Sequence, residues 1–176
     1  MVVLDVGERA AKVVHVATVD RFEEVGELVR RYGVSRCVID GLPNQHSARE
    51  LARDLPGTVS LCYYAEGRRA EAGSGPSRDS LSVDRTEALD RMVCGVKRGE
   101  IALPSRLGPE VEELMRHLVA LAKVQREDDQ TGRPSVRYIR TGPDHYAHAL
   151  TYALLARDTL GRVPVVTARA GRQRRG

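Results

Sequence analysis

The chain is poor in aromatic side chains: its 176 residues include no Trp, one Phe and six Tyr. A protein that stacks the bases of single-stranded nucleic acid needs several exposed aromatic rings, so this composition argues against that class. The cysteines are also few, and Cys37, Cys62 and Cys94 form no Cys-x-x-Cys pair. Because Cys37 and Cys62 stand in apolar runs, we expect small core residues in a reducing compartment.

Long apolar segments are absent as well. No run approaches the ~20 residues of a membrane-spanning helix, and the first residues do not read as a signal peptide. The sequence therefore predicts a cytoplasmic protein without a membrane partner. Hydrophobic residues make up 41% and charged residues 30% of the chain, which is typical of a folded globular protein rather than a disordered one.

The length and the charge distribution predict one domain with a basic tail. A chain of 176 residues can bury one good core but hardly two. The net charge is +4, and six arginines but only one acid are found from position 157 onward. We therefore expect a single domain over residues 1–160 and a basic, flexible tail over residues 161–176. Such a tail suits phosphate contacts, although a solvated chain end explains it equally well.

The spacing of apolar residues predicts an α/β fold. A hairpin of two strands comes first, at 2–4 and 13–19. Helices and further strands follow at 22–32, 36–40, 48–55, 59–64, 80–84, 86–98, 109–122, 135–140 and from 143 onward. Ser47 and Thr86 are the predicted N-caps of the helices that follow them. The pattern indicates one mixed sheet with helices on its faces.

Two acids stand where α/β proteins place their chemistry. Asp40 ends the apolar run Cys37-Val38-Ile39 and precedes Gly41-Leu42-Pro43, so it lies at the carboxyl end of a buried strand. Asp144 lies in the first turn of the last helix. Two carboxylates brought together repel each other, and a divalent cation such as Mg²⁺ or Mn²⁺ relieves that repulsion. A pair of such ions clamps the attacking and leaving oxygens of a phosphodiester.

Each acid also has a purely structural interpretation. Asp40 is a suitable turn-capping residue before Gly-Leu-Pro, since a short acidic side chain can accept a hydrogen bond from the turn backbone. Asp144 is favoured in a first helical turn by the helix dipole alone. The residues by themselves leave the structural and the functional interpretation open for both acids.

Three parts of the chain resemble the nuclease domain of phage terminase large subunits, in the same order. They are Cys37–Pro43 with Ala48–Ala52, Val83–Asp90 with Arg98–Pro104, and Thr141–Leu150. The resemblance implies a ribonuclease H-like fold, with a mixed sheet and helices on both faces. It also implies a metal-dependent endonuclease that cuts concatemeric viral DNA during genome packaging.

By this resemblance Asp40 and Asp144 are catalytic metal ligands, the cofactor is a pair of Mg²⁺ or Mn²⁺ ions, and the substrate is double-stranded DNA. A packaging ATPase, a small terminase subunit and a portal are the implied partners, in the host cytoplasm if a phage or prophage encodes the chain. A complete terminase large subunit also carries a Gly-Lys-Ser/Thr phosphate loop, which this sequence lacks. We therefore expect the nuclease part alone.

The family's third ligand is an Asp on the first strand, and two assignments remain open here. Asp5, in Leu4-Asp5-Val6-Gly7, has the right surroundings. However, a ribonuclease H-like sheet places two strands and a helix between that Asp and the central one, which needs about 45 residues. Asp5 and Asp40 are only 35 apart (40 − 5). In the alternative, 2–4 and 13–19 are the second and third strands, the first strand is absent, and Asp5 is a hairpin-turn acid.

Basic residues and histidines complete the candidate set. Four arginines are candidate contacts to DNA phosphates: Arg68, Arg69, Arg78 and Arg85. The alternative for the first three is a solvated loop charge, and the alternative for Arg85 is a hairpin or cap residue without a function. The first three stand in a Gly- and Ser-rich stretch that predicts a flexible loop. His145 and His148 lie one helical turn apart beside Asp144, where they suit a metal-bound water or a phosphate. Packing against the sheet is the other role open to His148.

Two other functional classes remain. One is an inactive, truncated terminase nuclease that acts as a DNA-binding or packaging-interaction module without cutting. Its distinguishing feature is the lack of a carboxylate beside Asp40 on the neighbouring strand. The other is a small-molecule α/β enzyme, which is disfavoured because the sequence has no glycine-rich phosphate loop and no nucleophile elbow.

Overall fold

The computed structural model describes residues 1–7, 10–65, 71–72, 80–106, 108–127 and 134–160. The predicted tail, 161–176, lies outside this part of the chain. The strands are β1 (Val2–Val6), β2 (Ala11–Val16), β3 (Cys37–Asp40), β4 (Val59–Ala65), β5 (Glu71–Ala72), β6 (Ser80–Asp84), β7 (Ile101–Ala102), β8 (Leu121–Glu127) and β9 (Pro134–Arg140). The helices are α1 (Phe22–Arg31), α2 (Gln45–Asp54), α3 (Arg85–Lys97), α4 (Pro109–Val119) and α5 (His145–Thr159). The predicted α/β class is confirmed.

Within these ranges the strands form three sheets, whereas the sequence predicts one. The first has the order β1-β2-β7, with β1 antiparallel and β7 parallel to β2. The second has the order β3-β4-β6-β5 and is parallel except for β5. The third is the antiparallel hairpin β8-β9. The prediction of one sheet is wrong because β1 and β3, the end strands of the first two sheets, face a common groove instead of pairing.

Helices cover both faces of the second sheet. Side chains alternate along β3, so Cys37 and Ile39 pack on the face covered by α1 and α2, whereas Val38 packs on the face covered by α3 and α5. Cys37 and Cys62 are buried, and burial raises the pKa of the Cys37 thiol to about 11. Both cysteines are therefore inert core residues, as the sequence predicts.

Helix α5 connects the two larger sheets. Its Leu150 packs in the core cluster that includes β1, whereas its Tyr152 packs in the cluster that includes β3. Asp144 directly precedes α5, and β3 ends at Asp40. The packing of α5 on β3 therefore brings Asp144 into the region of the sheet where Asp40 lies. The fold thus explains how two positions far apart in sequence reach the same region.

Two helix N-termini differ from the predicted ones. α2 starts two residues before Ser47, which therefore lies inside the helix and does not cap it. In α3 the cap is Asp84 and not Thr86, because the Asp84 carboxylate accepts a 2.8 Å hydrogen bond from the Glu87 backbone N–H. Among the helices described above, none is both long and apolar enough to span a bilayer.

Strand β8 was not predicted. Residues 121–122 continue the apolar spacing of α4, but α4 ends at Val119 and β8 begins two residues later. Seven residue pairs join β8 to β9, from Leu121 with Arg140 to Glu127 with Pro134. The main-chain hydrogen bonds of this hairpin override the helical spacing, because local propensity is a weak preference beside tertiary pairing.

Candidate functional site

Asp40 is the last residue of β3, and its side chain is exposed to solvent. One carboxylate oxygen accepts a 3.0 Å hydrogen bond from the Leu42 backbone N–H, which is the bond expected of a turn-capping acid. The other oxygen accepts a 3.0 Å hydrogen bond from the hydroxyl of Tyr152 in α5. Both donors are neutral, and each carboxylate oxygen keeps a further lone pair, so Asp40 can still bind a cation.

Gly41 explains how the chain turns so tightly after Asp40. The backbone N–H of Gly41 donates a 2.8 Å hydrogen bond to the Cys62 carbonyl of β4, which holds the turn against the sheet. A Cβ atom at this position would lie 2.5 Å from the ring of Tyr63, far inside van der Waals contact. Only glycine fits here without displacing that ring, so the turn that presents Asp40 depends on it.

Asp144 is the N-cap residue of α5 and is 6% exposed. Its side chain makes no capping hydrogen bond, so capping does not account for it. Instead, its Oδ2 lies 3.3 Å from Nε2 of His148 and 3.9 Å from Nη2 of Arg85. Arg85 is held in place because its Nη1 donates a 2.8 Å hydrogen bond to the Tyr138 carbonyl. Asp144 therefore has a cationic neighbour in the protein itself.

A line of polar side chains connects the two acids. Tyr152, which donates to Asp40, stacks against Tyr64 of β4 with ring centroids 5.7 Å apart. The Tyr64 hydroxyl lies 2.9 Å from Nδ1 of His148, and Nε2 of the same ring faces Asp144. The carboxyl ends of β3 and β4 thus meet the start of α5, as expected for a site in an α/β fold.

The histidine in this line is neutral near neutral pH. Burial lowers the pKa of His148 below its usual value of 6.5; Asp144 acts in the opposite direction, and Arg85 lowers it further. Burial is also the main reason why the pKa values of Tyr64 and Tyr152 are raised, so both phenols stay protonated. A neutral imidazole donates from one nitrogen and accepts at the other, which lets His148 bridge a hydroxyl and a carboxylate.

His117 of α4 supports the same region, although the sequence gives no sign of it. Its Nδ1 accepts a 3.0 Å hydrogen bond from the backbone N–H of Tyr146, in the first turn of α5. Its Nε2 lies 3.7 Å from Glu113. Burial lowers the pKa of His117, which favours the neutral ring and leaves Nδ1 able to accept. The residue therefore fixes the start of α5, immediately after Asp144.

Asp5 is not part of this line. It is exposed in β1, opposite Lys12 of β2. β1 does not pair with β3, and a groove of about 500 Å³ lies between the two strands, with Asp5 and Asp40 both on its wall. Both assignments of Asp5, as a first-strand ligand or as a hairpin-turn acid, stay predictions.

The remaining candidates are the predicted arginines and the two histidines beside Asp144, and the structure describes only some of them. Arg68, Arg69 and Arg78 lie outside the described ranges. Arg85 begins α3 and directs its guanidinium toward Asp144, so its predicted role as a DNA contact has a competing ion pair. His145 is exposed at the start of α5, whereas His148 is packed among the side chains that join the acids.

The oxygen donors are of the right kind for Mg²⁺ or Mn²⁺, but they are few. In the part of the chain that is described, no group of three or more His, Cys, Asp and Glu side chains is placed to hold a metal ion. One Mg²⁺ is commonly held by one or two carboxylates together with water and substrate phosphate, so these carboxylates are of a suitable kind. Tyr152, Tyr64 and His148 lie between the two acids, and no direct contact joins Asp40 to Asp144 in the described chain. A two-ion centre needs a further ligand.

Comparisons of the chain with models of protein families, with curated proteins and with solved structures find no match. The resemblance to terminase nucleases therefore rests on the three parts of the sequence given above. The functional argument rests on the geometry around Asp40 and Asp144.

Proposed function

We propose that the chain is a metal-dependent nuclease domain of the terminase type, with a ribonuclease H-like fold and double-stranded DNA as substrate. The observation that carries this function is the convergence of Asp40 and Asp144. They are 104 residues apart in sequence (144 − 40), yet β3 and α5 bring both to one line of contacting side chains. Carboxylates placed in one region in this way suit a divalent cation.

The side chains of the site have distinct roles in this function. Asp40 and Asp144 would hold the ion, which supplies Lewis-acid stabilisation to the phosphodiester that is cut. Tyr152 orients Asp40 through its hydroxyl, and His148 orients Asp144 through Nε2. Arg85 is the nearest cation to Asp144 and is suited to receive a DNA phosphate once the bound ion neutralises that carboxylate.

The wider setting is carried over from the resemblance. It is the cutting of concatemeric viral DNA during packaging in the host cytoplasm, with a packaging ATPase, a small terminase subunit and a portal as partners. The second metal ion belongs to the same carry-over, because no third ligand accompanies the two acids among the described residues.

Plasmid cleavage tests the nuclease function directly. Supercoiled plasmid is incubated with the purified protein and Mn²⁺, with EDTA as the metal-free control. We expect nicking that falls by at least about 100-fold in Asp40→Asn and in Asp144→Asn, because each removes charge from the ion site. Asp54→Asn, an exposed acid at the end of α2, serves as the matched control and should cut like the parent. No metal-dependent nicking, or equal nicking by all variants, would contradict the nuclease function.

A second candidate function is favoured by the ion pair at Asp144. A guanidinium 3.9 Å from the carboxylate neutralises it without any metal, and no third ligand stands nearby in the described chain. In this second candidate function the domain binds DNA without cutting it. Retarded migration of DNA in a gel, with no cleavage by the parent in Mg²⁺ or Mn²⁺, would support this inactive DNA-binding module over the nuclease.

A further inference from the structure

The groove between β1 and β3 lies in the layer of the sheets. Its two sides are the end strands of two different sheets, and its volume is about 500 Å³. Helix α5 closes one face with small side chains, among them Ala149 and Ala153, and Val25 of α1 lies on the other. Both faces are therefore mainly apolar, although Tyr152 and Arg157 of α5 also line the groove, and both long edges are peptide backbone.

The two edge strands leave backbone groups without partners in a buried place. An edge strand pairs on one side only, so half of its N–H and C=O groups point away from its sheet. Val2 and Val3 of β1 and Val38 of β3 are buried, and among the described residues no backbone hydrogen bond crosses the groove. Buried backbone groups are almost always paired, because an unpaired one costs about as much as a lost hydrogen bond.

We infer that this groove is a docking site for one extended polypeptide strand, which joins the two sheets into one. Only an extended backbone carries N–H and C=O groups on both of its edges, as two facing ladders require. With β1 of five and β3 of four residues, the strand spans about 13–17 Å at a rise of ~3.3 Å per residue. Because both faces are mainly apolar, it is a continuous Val-, Ile- or Leu-rich run.

These 176 residues hold no spare run of that kind, so the strand that docks is an additional segment of polypeptide with this chemistry. Every apolar run in the described ranges already belongs to a strand or helix of the fold. In the sequence outside them, the longest apolar run is Val163–Val166, and Pro164 interrupts it. Proline has no N–H and is excluded from strands that pair on both sides.

Binding of a synthetic peptide to the full chain tests this docking site without any measurement of cleavage, so its outcome is independent of the nuclease function. The probe is a fluorescent peptide of five alternating Val and Ile residues flanked by lysines. Its matched control has N-methyl groups at the central residues, which remove the donors of both ladders. We expect saturable binding of the first peptide, at least ten-fold weaker binding of the second, and slowed hydrogen exchange at β1 and β3.

Two protein variants locate the binding site. Ala153→Phe fills the groove and should weaken binding at least ten-fold, whereas Ala102→Phe, at an exposed position of β7, should leave it unchanged. Equal binding by both variants or by both peptides would overturn the inference. So would peptide binding that begins only after residues 161–176 are removed, or a dimer that the peptide dissociates, because another part or copy of this chain would then be the occupant.

Discussion

The two acids of the candidate site lie in opposite environments. Asp40 is exposed, and its two oxygens accept hydrogen bonds from neutral donors, a backbone N–H and a phenol. Asp144 is buried, and its carboxylate lies beside a guanidinium and an imidazole. The carboxylate of Asp40 therefore has no charged partner among the described residues and can bind a cation, whereas the carboxylate of Asp144 already lies beside the cation Arg85.

This difference shows that only one of the two acids has a charged partner within the described part of the protein. A buried carboxylate is stable only when it is paired, and Arg85 is the cation beside Asp144. An exposed carboxylate such as that of Asp40 needs no such partner and can bind a cation. If the proposed ion binds, the pair at Asp144 has to loosen, and the guanidinium becomes available to a phosphate.

The largest expected effect comes from Arg85→Met. It leaves the Asp144 carboxylate buried without its cation, and loss of one partner of a buried pair costs about 3 kcal/mol of unfolding free energy. Urea unfolding measures the change. Arg85→Met combined with Asp144→Asn should recover most of it, because no buried charge remains.

Arg91→Met is the matched control, since Arg91 is exposed and its pair with Asp158 lies at the surface. Such surface pairs are worth about 0–1 kcal/mol. An Arg85→Met variant as stable as this control would show that Asp144 does not depend on Arg85, and the contrast between the two acids would disappear.

The second-largest expected effect is a difference in stability between alanine substitutions at Gly41 and at Gly142, which lie near Asp40 and Asp144. Gly41→Ala places a Cβ atom 2.5 Å from the Tyr63 ring and should cost about 2 kcal/mol through overpacking. Gly142→Ala meets only Ala120, at 3.6 Å, and should be neutral or slightly stabilising. Thermal unfolding of both variants measures the difference. Equal melting temperatures would show that the turn after Asp40 is not held as tightly as the geometry indicates.

A smaller effect is expected at the hydroxyl of Tyr152. Tyr152→Phe removes the 3.0 Å hydrogen bond to Asp40 and should cost about 1 kcal/mol of unfolding free energy. A double-mutant cycle with Asp40→Asn isolates the pair, since the two costs should not add if the residues interact. Strict additivity would mean that Tyr152 packs in the core without orienting Asp40.

The smallest effect is a pH dependence from the buried histidine beside Asp144. The pKa of His148 in the folded protein is below its ordinary value of 6.5. Above pH 6.5 the imidazole is therefore neutral in both the folded and the unfolded protein, and its burial costs no stability. As the pH falls below 6.5, the unfolded state takes up a proton first and stability declines until the folded pKa is reached.

Melting temperatures between pH 8 and pH 5 measure this decline. His148→Gln should remove part of it, whereas His46→Gln, at an exposed position of α2, should leave the curve as it is. A decline that is identical in the parent and in His148→Gln would assign the proton uptake to other groups, such as His117.

The sequence predicts three strands of the sheet that carries Asp40, because an apolar run ended by turn residues is a local signal. β3, β4 and β6 therefore appear within one residue of their predicted bounds. β8 escapes prediction because its pairing with β9 exists only in the folded chain. The single predicted sheet fails for a similar reason, since no local pattern tells whether β1 lies against β3 or across a groove from it.

The candidate acids were also visible in the sequence, but their partners were not. Tyr64 and Tyr152 look like ordinary core aromatics, and their hydroxyls acquire a role only where β4 and α5 meet. Arg85 stays a predicted DNA contact, and no pattern in the sequence shows that the fold also places it beside Asp144. Charge compensation between residues so far apart in sequence depends on tertiary packing, which spacing along the chain does not encode.

Paramagnetic broadening by Mn²⁺ tests most directly whether the two acids serve one ion. In amide spectra of the protein titrated with Mn²⁺, signals close to the ion broaden first. The shared site predicts early broadening at both Leu42 and His148, and loss of both effects together in Asp40→Asn. Broadening at only one of the two, or broadening that Asp40→Asn leaves unchanged, would contradict a common metal site.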